Sequence, residues 1–345
     1  MIRQIAISFS CLFLLSNCVD SIAPILGETQ QFLVIEGEIT DDGRTPFIRV
    51  LQSADLSLDE RGLPTPIPDA QITLYDDAGN EFTPVYDSGY YNFPNLVGQV
   101  GRSYQATVEY QGETYSSNWE TLLPVSAIDT IKAVSYTVEE LSASENIVTR
   151  SRYRLLVTTQ ISDDSENVYY KWNTTGEYKF TDAAFFPFVC YISVNLNKNN
   201  VSIFGEPSSQ GLELQDHEIY TDFVNSHFSW EYCFHVEQRS ITADAYRFWN
   251  QTKKILEREG GLFEDPPGVI EGNFRNTSDP SDLVLGFFSA SSVEYQIYCL
   301  DAYDLEGAQE SNCEPSGFGQ PNNNANCSCF TIPNSTLDRP SYWPP

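Results

Sequence analysis

Short stretches in which apolar and polar residues alternate dominate the chain from residue 32 onward. The first two are Phe32 to Ile39 and Phe47 to Leu51, and the turn Asp41-Asp42-Gly43 lies between them. A third, Gln71 to Tyr75, alternates in the same way and ends at the turn Asp77 to Asn80. Alternation bounded by Gly, Asn and Asp predicts half-buried strands, and turn signals about every ten residues are typical of β-sandwiches.

The alternation resumes after a proline-containing linker at residues 124–129 and predicts a second β-rich domain. The stretch Tyr153 to Ile161 turns one set of side chains to a common face, namely Tyr153, Leu155, Val157 and Thr159. The next stretch, Val168 to Tyr178, does the same with Tyr170, Trp172 and Thr174. Further strands are predicted at Ile131 to Val138, Val189 to Val194, Ser229 to Val236, Leu283 to Ser289 and Val293 to Asp301.

One segment has helical periodicity instead. Its apolar or small side chains share one face of a helix with about 3.6 residues per turn, and they are Ala245, Phe248, Trp249, Thr252 and Leu256. Thr242 or Ser240 caps the start and Gly260-Gly261 ends the segment, which predicts a helix over residues 242–259.

The N-terminus has the organisation of an export signal. Arg3 precedes an apolar run from Ile5 to Leu15, which is shorter than the ~20 residues needed to span a bilayer. The run ends on Leu15-Ser16-Asn17-Cys18, which resembles a bacterial lipobox, in which the cysteine is acylated and begins the mature protein. The alternative interpretation is an ordinary secretory signal in which Cys18 is a disulfide partner. Residues 18–30 read as a lipidated tether.

The charge and composition of the chain limit the classes of partner that it can bind. The formal net charge is -29, and an acidic surface of this kind repels phosphate backbones, so nucleic-acid binding is excluded. Aromatic residues make up 13% of the chain, which favours strands over helices.

Cysteine usage also predicts export. Apart from Cys11 and Cys18, the cysteines are Cys190, Cys233, Cys299, Cys313, Cys327 and Cys329, an even number that fits three disulfides with 15 connectivities. Cys190 and Cys233 both lie on predicted strands, and we predict that they pair with each other. The alternative is a metal site, but Cys327-Ser328-Cys329 has too short a spacing for a zinc knuckle.

No catalytic or metal-binding residues are predicted. His217, His227 and His235 lack the spacing of a helical metal motif, and no Gly-x-Ser-x-Gly sequence is present. Pairs of carboxylates such as Asp76-Asp77 and Asp163-Asp164 fall at predicted turns, where solvation is favoured and calcium binding is the alternative. No cofactor is expected.

Two further features are candidate contact or modification sites. The loop containing Phe185, Phe186 and Phe188 is strongly apolar, and it either packs into its own domain, which is the favoured interpretation, or contacts a transporter or ligand. Asp20-Ser21-Ile22 and Asp129-Thr130-Ile131 match the Bacteroidota O-glycosylation pattern, which makes Ser21 and Thr130 candidate acceptors in tether and linker.

These observations divide the chain into five segments. They are a signal peptide at 1–17, a tether at 18–30, an N-terminal β-sandwich at 31–123, a second β-rich domain at 128–305 and a tail at 306–345. Pro68-Asp69-Ala70-Gln71-Ile72, Gly89-Tyr90-Tyr91 and Gly101-Arg102-Ser103-Tyr104 resemble the carboxypeptidase regulatory-like and transthyretin-like β-sandwiches. The stretch Tyr153 to Tyr178 resembles fibronectin type III-like sandwiches. The expected fold is therefore mainly β, with two such sandwiches, one helical insertion and a disulfide-stapled C-terminal tail.

Motifs along nearly the whole mature chain resemble one family of Bacteroidota outer-membrane lipoproteins, catalogued as domain of unknown function 4249. They are Phe32-Leu33-Val34-Ile35-Glu36-Gly37, Leu122-Leu123-Pro124 with Ile128-Asp129-Thr130-Ile131, Phe248-Trp249 with Gly260-Gly261-Leu262-Phe263, Gly272-Asn273, Leu285 to Ser291, and Arg339-Pro340-Ser341-Tyr342-Trp343-Pro344. Members are typically encoded beside TonB-dependent receptors. The resemblance implies a non-catalytic lipoprotein of the outer membrane that partners such a receptor or binds its ligand. A surface adhesin or matrix protein is the alternative, and a hydrolase is less favoured. The cell surface is the expected side, and the periplasmic face stays open because only Asp20 follows the cysteine as an acidic signal.

Overall fold

The computed structural model describes residues 31–54, 63–142, 145–161, 167–184, 187–197, 200–207, 213–258, 270–310, 313 and 327–343. The predicted signal peptide, the tether and much of the tail lie outside this part of the chain. So do Cys18, Ser21, Phe185 and Phe186. Everything below concerns the described residues, which form a mainly β protein of several sheets with one α-helix.

The first sandwich is built from two sheets of seven and six strands. Its strands are β1 (Leu33–Thr40), β2 (Phe47–Gln52), β3 (Thr65–Pro66), β4 (Gln71–Asp76), β5 (Glu81–Phe82), β6 (Val85–Asp87), β7 (Tyr90–Asn92), β8 (Ser103–Tyr110), β9 (Glu113–Ser117), β10 (Glu120–Thr121), β18 (Phe274–Asn276), β19 (Val284–Leu285) and β20 (Phe288–Ser291). The predicted alternation is confirmed, because Ile35, Ile72 and Leu74 face a common core while the polar residues between them face outward.

Strands β18, β19 and β20 belong to this sandwich although they lie more than 150 residues after β10 in the sequence. β18 pairs with β9, and both β19 and β20 run parallel to β1. Gly286 lies between β19 and β20 with φ +95°, and a Cβ there would stand 2.2 Å from the Ile35 carbonyl oxygen, so only glycine fits. These residues belong to the segment 128–305 predicted as the second β-rich domain, whereas their strands join the first sandwich. Alternation alone does not specify which sheet a strand enters.

The second unit contains a three-stranded and a six-stranded sheet. Its strands are β11 (Ile128–Leu141), β12 (Ile147–Gln160), β13 (Asn167–Thr181), β14 (Val189–Asn195), β15 (Ser202–Pro207), β16 (Glu213–Phe223), β17 (Tyr232–Ser240), β21 (Val293–Leu300) and β22 (Ser335–Thr336). The orders are β11-β12-β16 and β21-β17-β13-β14-β22, with β15 also on β13. Tyr153, Leu155 and Val157 are buried against Tyr170 and Trp172, as their predicted faces require.

One predicted strand starts later than expected. Ser229 is the last residue of a single 3₁₀ turn, Ser226–Ser229, capped by the side chain of Asn225, and β17 begins only at Tyr232. The asparagine side chain accepts a hydrogen bond from the His227 N–H, which satisfies the turn locally and keeps this segment out of the sheet.

The helix, α1 (Ala243–Leu256), begins after Thr242, one of the two predicted caps, and the predicted stop Gly260-Gly261 lies outside the described residues. Thr242 Oγ1 accepts a hydrogen bond from the Ala245 N–H at 3.2 Å. Ala245 is buried, and the Phe248 ring packs against Phe287 with ring centroids 5.0 Å apart. Leu256 is half exposed, so the buried face covers only the first turns of the helix.

The two units are joined through a buried carboxylate. Glu120 on β10 accepts hydrogen bonds from Thr242 Oγ1 at 2.6 Å and from Asn273 Nδ2 at 3.3 Å. Burial raises the pKa of Glu120 to about 7, although the hydrogen bonds from Thr242 and Asn273 favour its charged form. A second link is Arg239, which pairs with Glu38 of β1 at 2.7 Å. These contacts connect the first sandwich, the helix cap and the second unit.

Candidate partner-binding surface

All six cysteines predicted to form disulfides do so. The pairs are Cys190–Cys329, Cys233–Cys299 and Cys313–Cys327. The predicted pairing of Cys190 with Cys233 is wrong. Strand β13 separates β14 from β17, so the two cysteines stand about 10 Å apart or more, beyond the ~7 Å that a disulfide tolerates between Cα atoms. Cys233 instead lies directly opposite Cys299 on the adjacent strand β21.

The Cys190–Cys329 disulfide brings two distant aromatic residues together. Phe188 is 44% exposed and Phe330 is 65% exposed, and their rings meet edge to face with centroids 5.0 Å apart. We call Phe188 and Phe330 the aromatic surface. It combines part of the predicted Phe185, Phe186 and Phe188 loop with a residue of the C-terminal tail.

The backbone that carries Phe188 is held by a short loop closure. Asp182 Oδ1 accepts from the Phe188 N–H at 2.8 Å, and the Asp182 N–H donates to the Phe188 carbonyl oxygen at 2.9 Å. Asp182 itself is buried. These bonds fix the backbone of Phe188, while its side chain stays partly exposed.

The tail that carries Phe330 is anchored again further along. Trp343 is buried against Tyr191 and Cys233, and its Nε1 donates to Glu231 at 2.8 Å. Lys179 pairs with the same carboxylate at 2.6 Å. The strand β22 adds a backbone link to β14. Residues 327–343 of the tail therefore lie along the edge and outer face of the six-stranded sheet and present Phe330 beside Phe188.

Sequence reasoning missed Phe330. Its neighbour Cys329 is a predicted disulfide partner, and a residue next to a disulfide lies close to the cysteine at the other end of that bond. Because the connectivity was open among 15 arrangements, no signal in the sequence placed Phe330 next to Phe188.

The histidines make aromatic contacts. His227 stacks on Tyr178 with centroids 4.3 Å apart, and His217 lies 4.9 Å from the Trp172 ring; burial lowers the pKa of both histidines. His235 contacts the Tyr295 hydroxyl, with Glu177 3.6 Å from its Nε2. Within the described ranges no three His, Cys, Asp or Glu side chains are grouped so as to hold a metal ion.

The remaining predicted residues are dispersed. Thr130 lies within strand β11 rather than in a linker, with its side chain exposed. The Asp76-Asp77 turn is confirmed, because Asp76 Oδ1 accepts from the backbone N–H groups of Ala78 and Asn80. None of the helices in the described part of the chain has the length and apolar character to cross a membrane.

The described residues thus define a mainly β, sandwich-like protein stapled by three disulfides. The chain belongs to the family described as Domain of unknown function (DUF4249), whose model matches residues 19–297. This match confirms the family resemblance read from the motifs. Comparison with curated proteins and with solved structures finds no match.

Proposed function

We propose that this protein is a lipid-anchored accessory lipoprotein of the outer membrane that binds a TonB-dependent receptor through the aromatic surface. The observation that carries the proposal is the exposed ring pair of Phe188 and Phe330, held in place by a disulfide. Large exposed aromatic side chains on a rigid support are typical anchors of protein interfaces, because they bury much apolar area at little entropic cost.

The disulfides support the export part of the proposal. Six cysteines from distant parts of the chain are paired, and such bonds persist in oxidising compartments outside the cytoplasm. The lipobox-like sequence ending at Cys18 supplies the anchor, since an acylated cysteine holds a protein at a membrane without a spanning helix.

Labelling cells with an alkyne analogue of palmitate tests the anchor. The wild-type protein should incorporate the label and the Cys18→Ala variant should not. Protease treatment of intact cells then tests the side of the membrane, because a surface protein is digested and a periplasmic one is protected. Label on the Cys18→Ala variant would contradict lipidation at this residue.

Crosslinked pull-down from outer membranes tests the partner. The proposal expects a stoichiometric β-barrel receptor with the wild-type protein and its loss with Phe188→Ser plus Phe330→Ser. The control variant is Val85→Ser, which removes an exposed apolar residue of the first sandwich. Absence of any receptor would favour the adhesin or matrix alternative, and hydrolysis of glycans, peptides or esters by the purified protein would contradict a non-catalytic role.

A further inference from the structure

The solvent face of the three-stranded sheet carries a row of arginines. Arg150, Arg152 and Arg154 alternate along β12 with the buried Tyr153 and Leu155. Residues two apart on a strand are about 7 Å apart, so the row spans about 14 Å. We call these three residues the arginine row. They occupy the middle strand of the sheet, with β11 on one side and β16 on the other.

The arginine row places three cations side by side on the surface of an acidic protein. The chain has 48 acidic and 19 basic residues, yet no carboxylate separates these three guanidinium groups along their strand. Arg150 pairs with Glu140 at 2.8 Å, and Arg154 reaches Glu218 only at 3.8 Å. For Arg152 no ion pair is present within the described residues, and its buried Nε has no hydrogen-bond partner there.

Aromatic rings hold the row in place. The guanidinium carbons of Arg150 and Arg152 lie 3.9 and 4.8 Å from the centre of the Phe223 ring, and that of Arg154 lies 4.9 Å from the Tyr136 ring. Stacking fixes the planar groups while leaving N–H donors at their edges. Exposed Val134 and half-buried Val138 lie directly opposite Arg154 and Arg150 on β11. The face therefore presents fixed donors with apolar side chains between them.

We infer that this face binds a polysaccharide whose sugars carry carboxylates, through the arginine row. Guanidinium groups match carboxylates with paired hydrogen bonds, and the apolar faces of sugar rings suit Val134 and Tyr136. An acidic peptide fits less well, because a peptide that adds as a strand would pair with an edge strand, β11 or β16, and would not lie over β12, which is already paired on both sides. The net charge of -29 opposes any polyanion at long range, so the row acts at short range, through paired hydrogen bonds of the kind that guanidinium groups make with carboxylates.

Affinity electrophoresis of the full-length mature protein in gels containing polygalacturonate tests the inference. Migration should be retarded by polygalacturonate and not by neutral pullulan, and salt should weaken the retardation. Combined Arg150→Gln, Arg152→Gln and Arg154→Gln should weaken the apparent affinity by about tenfold or more. The matched control changes Arg247, Lys254 and Arg275 to Gln, which removes three exposed cations elsewhere and should alter affinity by less than about threefold.

Arg152→Lys keeps the charge and a long aliphatic stem, so it separates binding from folding. It should retain the wild-type melting temperature while losing about threefold or more in affinity, because lysine lacks the paired donors. The inference is overturned if polygalacturonate does not retard the wild-type protein, if the control variant weakens binding as much as the row variant, or if only poly-L-glutamate binds.

Discussion

Replacement of Glu120 by glutamine should change the pH dependence of stability. Burial raises the pKa of this carboxyl to about 7 in the folded protein, from 4.5 for an ordinary glutamate. Between these two values the folded state binds more protons than the unfolded state, so stability falls as pH rises. This difference between the folded and unfolded pKa corresponds to about 3 kcal/mol of stability. That stability is fully lost once the pH exceeds about 7. Glutamine is neutral at every pH and keeps an acceptor for Thr242, whereas its amide N–H meets the Asn273 Nδ2 donor, a loss that applies equally at every pH.

Equilibrium urea unfolding followed by tryptophan fluorescence measures this effect. Relative to the wild type, Glu120→Gln should be more stable at about pH 8 than near pH 4.5, by up to about 3 kcal/mol in the free energy of unfolding. Glu109→Gln, at an exposed position of β8, is the control. Its effect on the free energy of unfolding should be the same at both pH values. An effect of Glu120→Gln that is the same at both pH values would refute the assignment of a buried, titrating junction carboxylate.

Three other substitutions test the packing and the backbone. Changing Cys190 and Cys329 together to Ser should lower the free energy of unfolding by up to about 5 kcal/mol, because the bond spans 139 residues, and non-reducing urea titration measures the loss. Leu155→Ala should cost about 2–5 kcal/mol in the same assay, since its fully buried side chain leaves a cavity. Gly286→Ala should cost more than about 1 kcal/mol and shift the thermal midpoint downward, because its φ of +95° and the nearby Ile35 carbonyl leave no room for a Cβ.

Local features of this fold follow directly from the sequence. The alternation of Tyr153, Leu155 and Val157 predicts which face of β12 is buried, because a strand side chain has only two directions. Thr242 is one of two caps, with Ser240, that the sequence offers, because both hydroxyls precede an apolar periodicity of helical spacing. In each case the physical cause lies within a few residues of the element it determines.

Long-range pairing does not follow from the sequence in the same way. Strands β18 to β20 carry ordinary alternation, and nothing local says that they complete the first sandwich rather than the second unit. The pairing of Cys190 depends on which strands are neighbours, and the surface formed by Phe188 and Phe330 depends on that pairing. Of the candidate partner-binding surface, the sequence therefore predicts Phe188 but not Phe330.

Site-specific photocrosslinking in living cells tests the central proposal most directly. A photoreactive phenylalanine analogue placed at residue 188 should give one dominant adduct, identified by mass spectrometry as a TonB-dependent β-barrel receptor. The same analogue at the exposed position Val85 should give none. Efficient labelling at both positions with no receptor adduct at residue 188 would contradict the proposed role of the aromatic surface.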